Sequence, residues 1–229
     1  MANILNGDLG NILNLLSAAS ALGTAAMGLV DASKVFNGGP SNFGFDYIET
    51  ALKPFLGTSG GSAFDTAAAI RTLRADWING VPKADQKAKA KALVHLNMTL
   101  GSANGLAAAA GVDASKLSSL ISKTATGQPL AQDEINVLGQ FDAVLGAALD
   151  SGYERGDQKY RNACKSLALV ISTILGAIGG LLVYGSDISA RDLAVSTLVG
   201  VVATPLAPIA KDLASSLQAA VKAVGAAKS

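Results

Sequence analysis

Three stretches without a single charged residue dominate the pattern of apolar and polar positions along this chain: 9–30, 166–184 and 193–210. Crossing about 30 Å of hydrocarbon takes roughly 20 predominantly apolar residues in a helix, so each stretch has about the length of a membrane span. The run at 166–184 is the most hydrophobic, with Leu167, Leu169, Val170, Ile171, Ile174, Leu175, Ile178, Leu181, Leu182 and Val183. At roughly −0.3 to −0.6 kcal/mol for each Leu, Ile or Val near the bilayer centre, these side chains favour insertion by several kcal/mol before Gly and Ser subtract from it. The run at 193–210 follows a connection holding Asp187, Arg191 and Asp192, and it stops at Lys211. Pro205 and Pro208 would break the interior of a soluble helix, whereas membrane helices tolerate proline where neighbours satisfy the freed carbonyls. Together the two runs predict a transmembrane helical hairpin at 166–210.

Charge gives the hairpin a direction. Arg155, Lys159, Arg161 and Lys165 precede it, Lys211, Lys222 and Lys228 follow it, and the connecting loop is net negative. Because basic residues gather on the cytoplasmic side, both ends of the hairpin are expected in the cytoplasm, and a bacterial inner membrane is the simplest location. The competing expectation is a pair of helices buried at the centre of a soluble bundle. The run at 9–30 is long enough but weakly hydrophobic, interrupted by Asn11, Asn14, Ser17, Ser20 and Thr24. It predicts either a third span or a helix packed on protein or lying at the membrane surface, within an apolar N-terminal segment 1–35. Lys34 is the first Lys or Arg, so a cleavable secretory leader is not expected.

Between these ends, 36–165 alternates ordinary polar helices with glycine-rich turns and predicts a small helical cytoplasmic domain. Loops are expected at 37–40 and 57–61, with a short amphipathic helix at 43–56 between them. Ser62 is a candidate N-cap, with Asp65 in the first turn, for a helix that ends at Gly80-Val81-Pro82. One helical stretch is expected over 84–110, weakened by Gly101 and Gly105, and a short one over 114–123 capped by Asp113. The last cytoplasmic helix starts at Asp133-Glu134 and carries Ile135, Leu138, Phe141, Leu145 and Leu149 on one face. It is expected to run into the hairpin as a stalk, with Gly152 and Gly156 as possible breaks. Leu213, Leu217, Val221 and Val224 give 211–229 the spacing of an amphipathic helix. No stretch shows the two-residue alternation of a strand, so the expected fold class is all-α.

Composition supports this reading. Forty-two Ala and 25 Gly make the chain light, only 15% of residues are charged, and half are apolar. Such a chain has too much apolar surface for intrinsic disorder. Its net charge of +1 supplies no field to recruit nucleic acid. One cysteine and one histidine exclude a disulfide framework and a Cys/His zinc site drawn from one chain.

Candidate chemistry is sparse. Gly57-Thr58-Ser59-Gly60-Gly61 fits G-x-S-x-G, but a nucleophile elbow needs a preceding strand and a later acid and histidine, and here Pro54 interrupts a helical stretch. His95, between Val94 and Leu96, is expected to be partly buried and hydrogen-bonded. Cys164 is expected to be a packing residue, with juxtamembrane lipidation the less favoured role. No catalytic residue, cofactor or metal is expected. Lys83, Lys87 and Lys91 share one helix face, which is either solvated or in contact with anionic lipid headgroups.

The most informative spacing is that of small residues. Ser172, Gly176 and Gly180 recur every four positions, and Ser17, Ala21 and Ala25, with Ser20, Thr24 and Gly28 alongside, repeat the pattern. Helices in lipid associate by close backbone approach, which small residues permit. The expectation is therefore a non-catalytic integral membrane protein, a structural or assembly subunit acting through helix packing as a homo-oligomer or within a larger membrane complex. The alternative is a pore-forming protein that hides its hairpin while soluble. That plan resembles colicin-type channel domains in general outline, with no shared motif.

Overall fold

The computed structural model describes residues 2–36, 38–57 and 65–207, with side chains from residue 17 onward. Every element among the described residues is helical: α1 (Ala2–Ser33), α2 (Phe45–Leu56), α3 (Thr66–Ile78), α4 (Lys83–Leu96), α5 (Ala103–Ala110), α6 (Ala114–Thr126) and α7 (Gln132–Tyr184), followed by α8 (Ala190–Ala207). Two compact units emerge. One is Ser41–Tyr160, and the other combines Met1–Pro40 with Arg161–Ser229. The N-terminal helix and the hairpin thus fall within one unit.

The 41–160 unit packs as water-soluble helical domains do. Ile48 and Leu52 of α2, Leu73 of α3, Val94 of α4, Leu106 of α5, Leu117 of α6, and Phe141, Leu145, Leu149 and Tyr153 of α7 are fully buried in one cluster. The four α7 residues are spaced by four, which holds one stripe of that helix against the other five. Phe55 meets Phe141 edge-on, with ring centroids 5.9 Å apart. That geometry suits the ring quadrupoles.

Local signals set the helix ends. The Asp65 carboxylate accepts from the Ala68 N–H at 2.9 Å, and Asp113 does the same for Lys116. Asp65 is therefore itself the N-cap of α3, the role expected of Ser62, which lies outside the described residues. At the start of α7 the Glu134 carboxylate reaches back to the Ala131 N–H at 2.7 Å, the returning arm of a capping box, while it also accepts from Lys123 and Ser119. Those donors, Lys123 foremost, hold its pKa down at about 2.

One expectation about continuity is corrected and another is met. The stretch 84–110 is two helices, α4 and α5, and Asn97 is the C-cap of the first. Its side-chain amide donates to the carbonyls of Phe55 and Leu56 at 3.2 and 3.1 Å, and Ser102 closes the turn by donating to the Asn97 carbonyl. Polar side chains tie down this break, which also contains Gly101. Conversely, α7 continues unbroken through Gly152 and Gly156 for 53 residues. Both glycines serve close approach. A Cβ on Gly152 would lie 2.9 Å from that of Ala51, and one on Gly156 would lie 2.8 Å from the Gly44 carbonyl oxygen. Gly44 is reciprocally hemmed in by Gly156 and has φ of 101°, so it is required twice over.

Candidate helix-packing seam

In the second unit α7 and α8 form an antiparallel hairpin whose contacts are made by small residues. The connection 185–189 turns at Gly185, φ 60°, and Ser189 starts α8. The Ser189 hydroxyl donates to the Asp192 carboxylate at 2.5 Å and accepts from the Asp192 N–H at 3.1 Å. This satisfies an exposed donor at the helix start and leaves the charged residues at the connection.

Below the connection the seam repeats every helical turn. A Cβ on Gly180 would fall 2.5 Å from the Ser196 hydroxyl, and one on Gly176 would fall 2.6 Å from the Ser196 carbonyl and 2.9 Å from the Gly200 Cα. One on Gly200 would collide with the Ser172 carbonyl. One turn further, the Ser172 and Thr204 hydroxyl oxygens are 2.7 Å apart, and Thr204 Oγ1 lies 3.2 Å from the Ala168 carbonyl. Ala168, Ser172 and Ala203 are completely buried. Ser172, Gly176 and Gly180 therefore occupy the α7 face turned to α8 of the same chain, with Ser196, Gly200 and Thr204 as their counterparts. Those three lie at the same four-residue spacing and were readable from it.

The larger apolar side chains of these helices point away. Leu182 and Val183 are 81% and 77% exposed, and Val170, Ile174, Val195 and Leu198 are each more than half exposed. Both helices are long and apolar enough to cross a membrane. Only 22% of the most apolar stretch of α7 and 17% of that of α8 is buried, unlike the mostly buried helices of a soluble core.

α1 adds a second small-residue contact. A Cβ on Gly23 would lie 2.5 Å from that of Ala207 and 2.6 Å from the Ala203 carbonyl. From residue 17 onward, Ala19, Gly23, Ala26 and Val30 are its buried positions. The sets singled out by spacing lie elsewhere: Ser17, Ala21 and Ala25 are exposed, as are Thr24 and Gly28, and Ser20 is half-buried. In a helix this rich in Ala, several faces carry small residues at four-residue intervals, and only packing distinguishes them.

The remaining candidates lie in the 41–160 unit or at its margin. Lys87 is ion-paired with Asp150 of α7, and Lys83 and Lys91 add to the positive potential that, with the Lys87 bond as first cause, lowers the Asp150 pKa. A Cβ on Gly146 would be 3.3 Å from the Lys91 ammonium. The lysine stripe is thus directed toward α7. Of the basic residues preceding the hairpin, Lys159 is paired with Asp46 at 2.8 Å and lies over the Tyr47 ring, as does Arg155. That bond raises the Lys159 pKa and lowers that of Asp46.

His95 Nε2 lies 2.7 Å from Asp142 Oδ1, and its side chain is exposed rather than partly buried. Of the G-x-S-x-G segment only Gly57 lies within the described residues, and Ser59 falls outside them together with Pro208 and 211–229. Cys164 is half-buried. Among the described residues no group of three or more His, Cys, Asp or Glu side chains is placed to hold a metal. Compared with protein-family models, with curated proteins and with solved structures, the chain gives no match.

Proposed function

We propose that this chain is a non-catalytic integral membrane protein, anchored by the α7–α8 hairpin and carrying the 41–160 unit as a helical cytoplasmic domain. Its role is structural: a subunit that assembles, with copies of itself or within a larger membrane complex, through helix packing. The observation that carries the reading is the reversal of packing in the hairpin. Small residues fill the seam while Leu, Ile and Val face outward over helices of spanning length. In water that arrangement would leave a large apolar surface exposed, whereas in lipid the same side chains are solvated and helices are held by close packing. Since α8 fills the α7 seam, association with other chains uses faces outside that seam.

The pore-forming alternative needs a soluble state in which the hairpin is covered, and the described residues do not supply that cover. The deciding experiment is fractionation of the full-length protein from membranes with alkaline carbonate. Retention in the pellet, with release only by detergent, is expected. Recovery in the aqueous fraction would overturn the membrane reading.

A further inference from the structure

We infer that α1 is a third membrane-crossing helix, its outward face in contact with lipid acyl chains, which places residue 8 on the side of the membrane opposite the 41–160 unit. This rests on the reading of the α7–α8 hairpin as membrane-embedded.

Register carries the argument. Gly180 meets Ser196, Gly176 meets Gly200, and Ser172 meets Thr204, so each turn down α7 is matched by one turn along α8. Gly23 of α1 abuts Ala203 and Ala207, which puts it level with the Ser172–Thr204 pair. From residue 17 onward the buried positions of α1 are Ala19, Gly23, Ala26 and Val30, spaced by four, three and four. Such spacings average close to the 3.6 residues of a helical turn and keep one face against a neighbour for several turns, so α1 lies lengthwise along the bundle. A steeply crossed or surface-lying helix would bury residues near one point only.

The direction of α1 follows from the chain. It ends at Ser33 and the chain enters the 41–160 unit at Ser41, while α7 leaves that unit at Tyr160. Within that unit Gly44 touches Gly156, so the two passages lie side by side. α1 therefore runs antiparallel to α7. Measured from the Gly23 level at equal rise per residue, the uncharged run 9–30 covers the same height as the 166–184 run of α7. Its 22 residues span about 33 Å at 1.5 Å per residue, against the ~30 Å of a hydrocarbon core.

Charges agree at both ends. Asp8 reaches the level of the connection that holds Asp187, while Asp31 and Lys34, paired at 2.7 Å, reach that of Lys165. Ser17, Ala21, Ala25, Met27 and Leu29 are exposed on the outer side of α1 and carry no charge, as contact with acyl chains requires.

The test is one-sided labelling. In the full-length Cys164→Ser protein, single cysteines are introduced as Asp8→Cys, Asn6→Cys, Asp187→Cys and, at an exposed position of the 41–160 unit, Glu49→Cys. Sealed vesicles of known orientation are treated with a membrane-impermeant maleimide before and after permeabilisation. Positions 6, 8 and 187 should label from one side and position 49 only from the other, at least tenfold above the opposite face. Labelling of 6 and 8 together with 49, while 187 stays opposite, would overturn the third span and leave the hairpin standing. Labelling of 187 on the same side as 49 would instead sink the membrane-hairpin reading itself.

Discussion

In the 41–160 unit the side chains withdrawn from the surroundings are Phe141, Leu145, Leu149, Tyr153, Ile48 and Leu73, whereas in the other unit they are Ala19, Ala26, Ala168, Ser172 and Ala203. The same chain, and in α7 the same continuous helix, follows two opposite packing rules. Up to Tyr160 the helix turns its bulky stripe inward and, apart from the buried Glu134 at its start, most of its charges outward. Beyond Arg161 it turns small residues inward and bulky ones outward. The first rule follows from the hydrophobic effect, which rewards removing large apolar area from water. The second has no such driving force. What it minimises is the distance between backbones, so the useful residue is the one with least side chain, and hydroxyl pairs such as Ser172–Thr204 add to the contact.

The contrast can be broken from either side, and the largest effect is expected in the aqueous-type core. Phe141→Ala removes a fully buried ring that meets Phe55 edge-on. It should cost the 41–160 unit about 3–5 kcal/mol. A thermal melt of the full-length protein in mild detergent, followed by circular dichroism, should show that unit unfolding at markedly lower temperature. A melt unchanged by the loss of the ring would mean that the core is not packed as described.

A smaller loss is expected from the opposite change in the seam. Gly176→Leu adds the apolar bulk that a soluble core would welcome, yet its Cβ meets the backbone of Ser196 and Gly200. Overpacking of this kind should cost about 1–3 kcal/mol. It is best read by disulfide formation between Ser172→Cys and Thr204→Cys, whose hydroxyl oxygens lie 2.7 Å apart, in the Cys164→Ser background. Cross-linking should fall several-fold when Gly176→Leu is added. Equal cross-linking would show that the seam does not need close approach.

The smallest of the three effects concerns Glu134, and it is present at neutral pH and fades in acid. Its folded pKa is about 2 against an ordinary 4.5, because Lys123, Ser119 and the Ala131 N–H all favour the carboxylate. A folded pKa below the unfolded one means that the contribution is complete above about 4.5 and is lost as pH falls toward about 2. Glu134→Gln should therefore flatten the acid limb of a stability–pH curve for the 41–160 unit. An acid limb as steep as that of the unsubstituted protein would show that Glu134 is not the group responsible.

What could be read in advance divides along the same line. The all-α class, the Asp113 cap, the start of α7 and the four-residue spacing of Ser172, Gly176 and Gly180 were legible because each depends on local sequence. The break at Asn97 was not, since it needs the carbonyls of Phe55 and Leu56 from a helix some forty residues earlier. Gly152 and Gly156 looked like interruptions because a glycine required for contact and one that weakens a helix are the same letter. The face of α1 was hidden for a related reason. Ala, Gly, Ser and Thr scattered over 17–28 offer several equivalent stripes, and only the partner decides among them.

The four-residue repeat of the seam has a consequence for how this chain tolerates insertions and deletions. Each residue turns a helix by about 100°, so one residue inserted after Leu198 would swing Gly200 and Thr204 off the face that meets α7. Four inserted residues would nearly restore the angle but displace both by about 6 Å along the axis, so the hydroxyl pair would be lost while other residues came opposite Gly176 and Ser172. In the 185–189 connection the same insertion would lengthen a turn and leave the phase of both helices unchanged. Length variation in this hairpin is thus confined to its tip, and within its arms the number of residues is as tightly constrained as their identity.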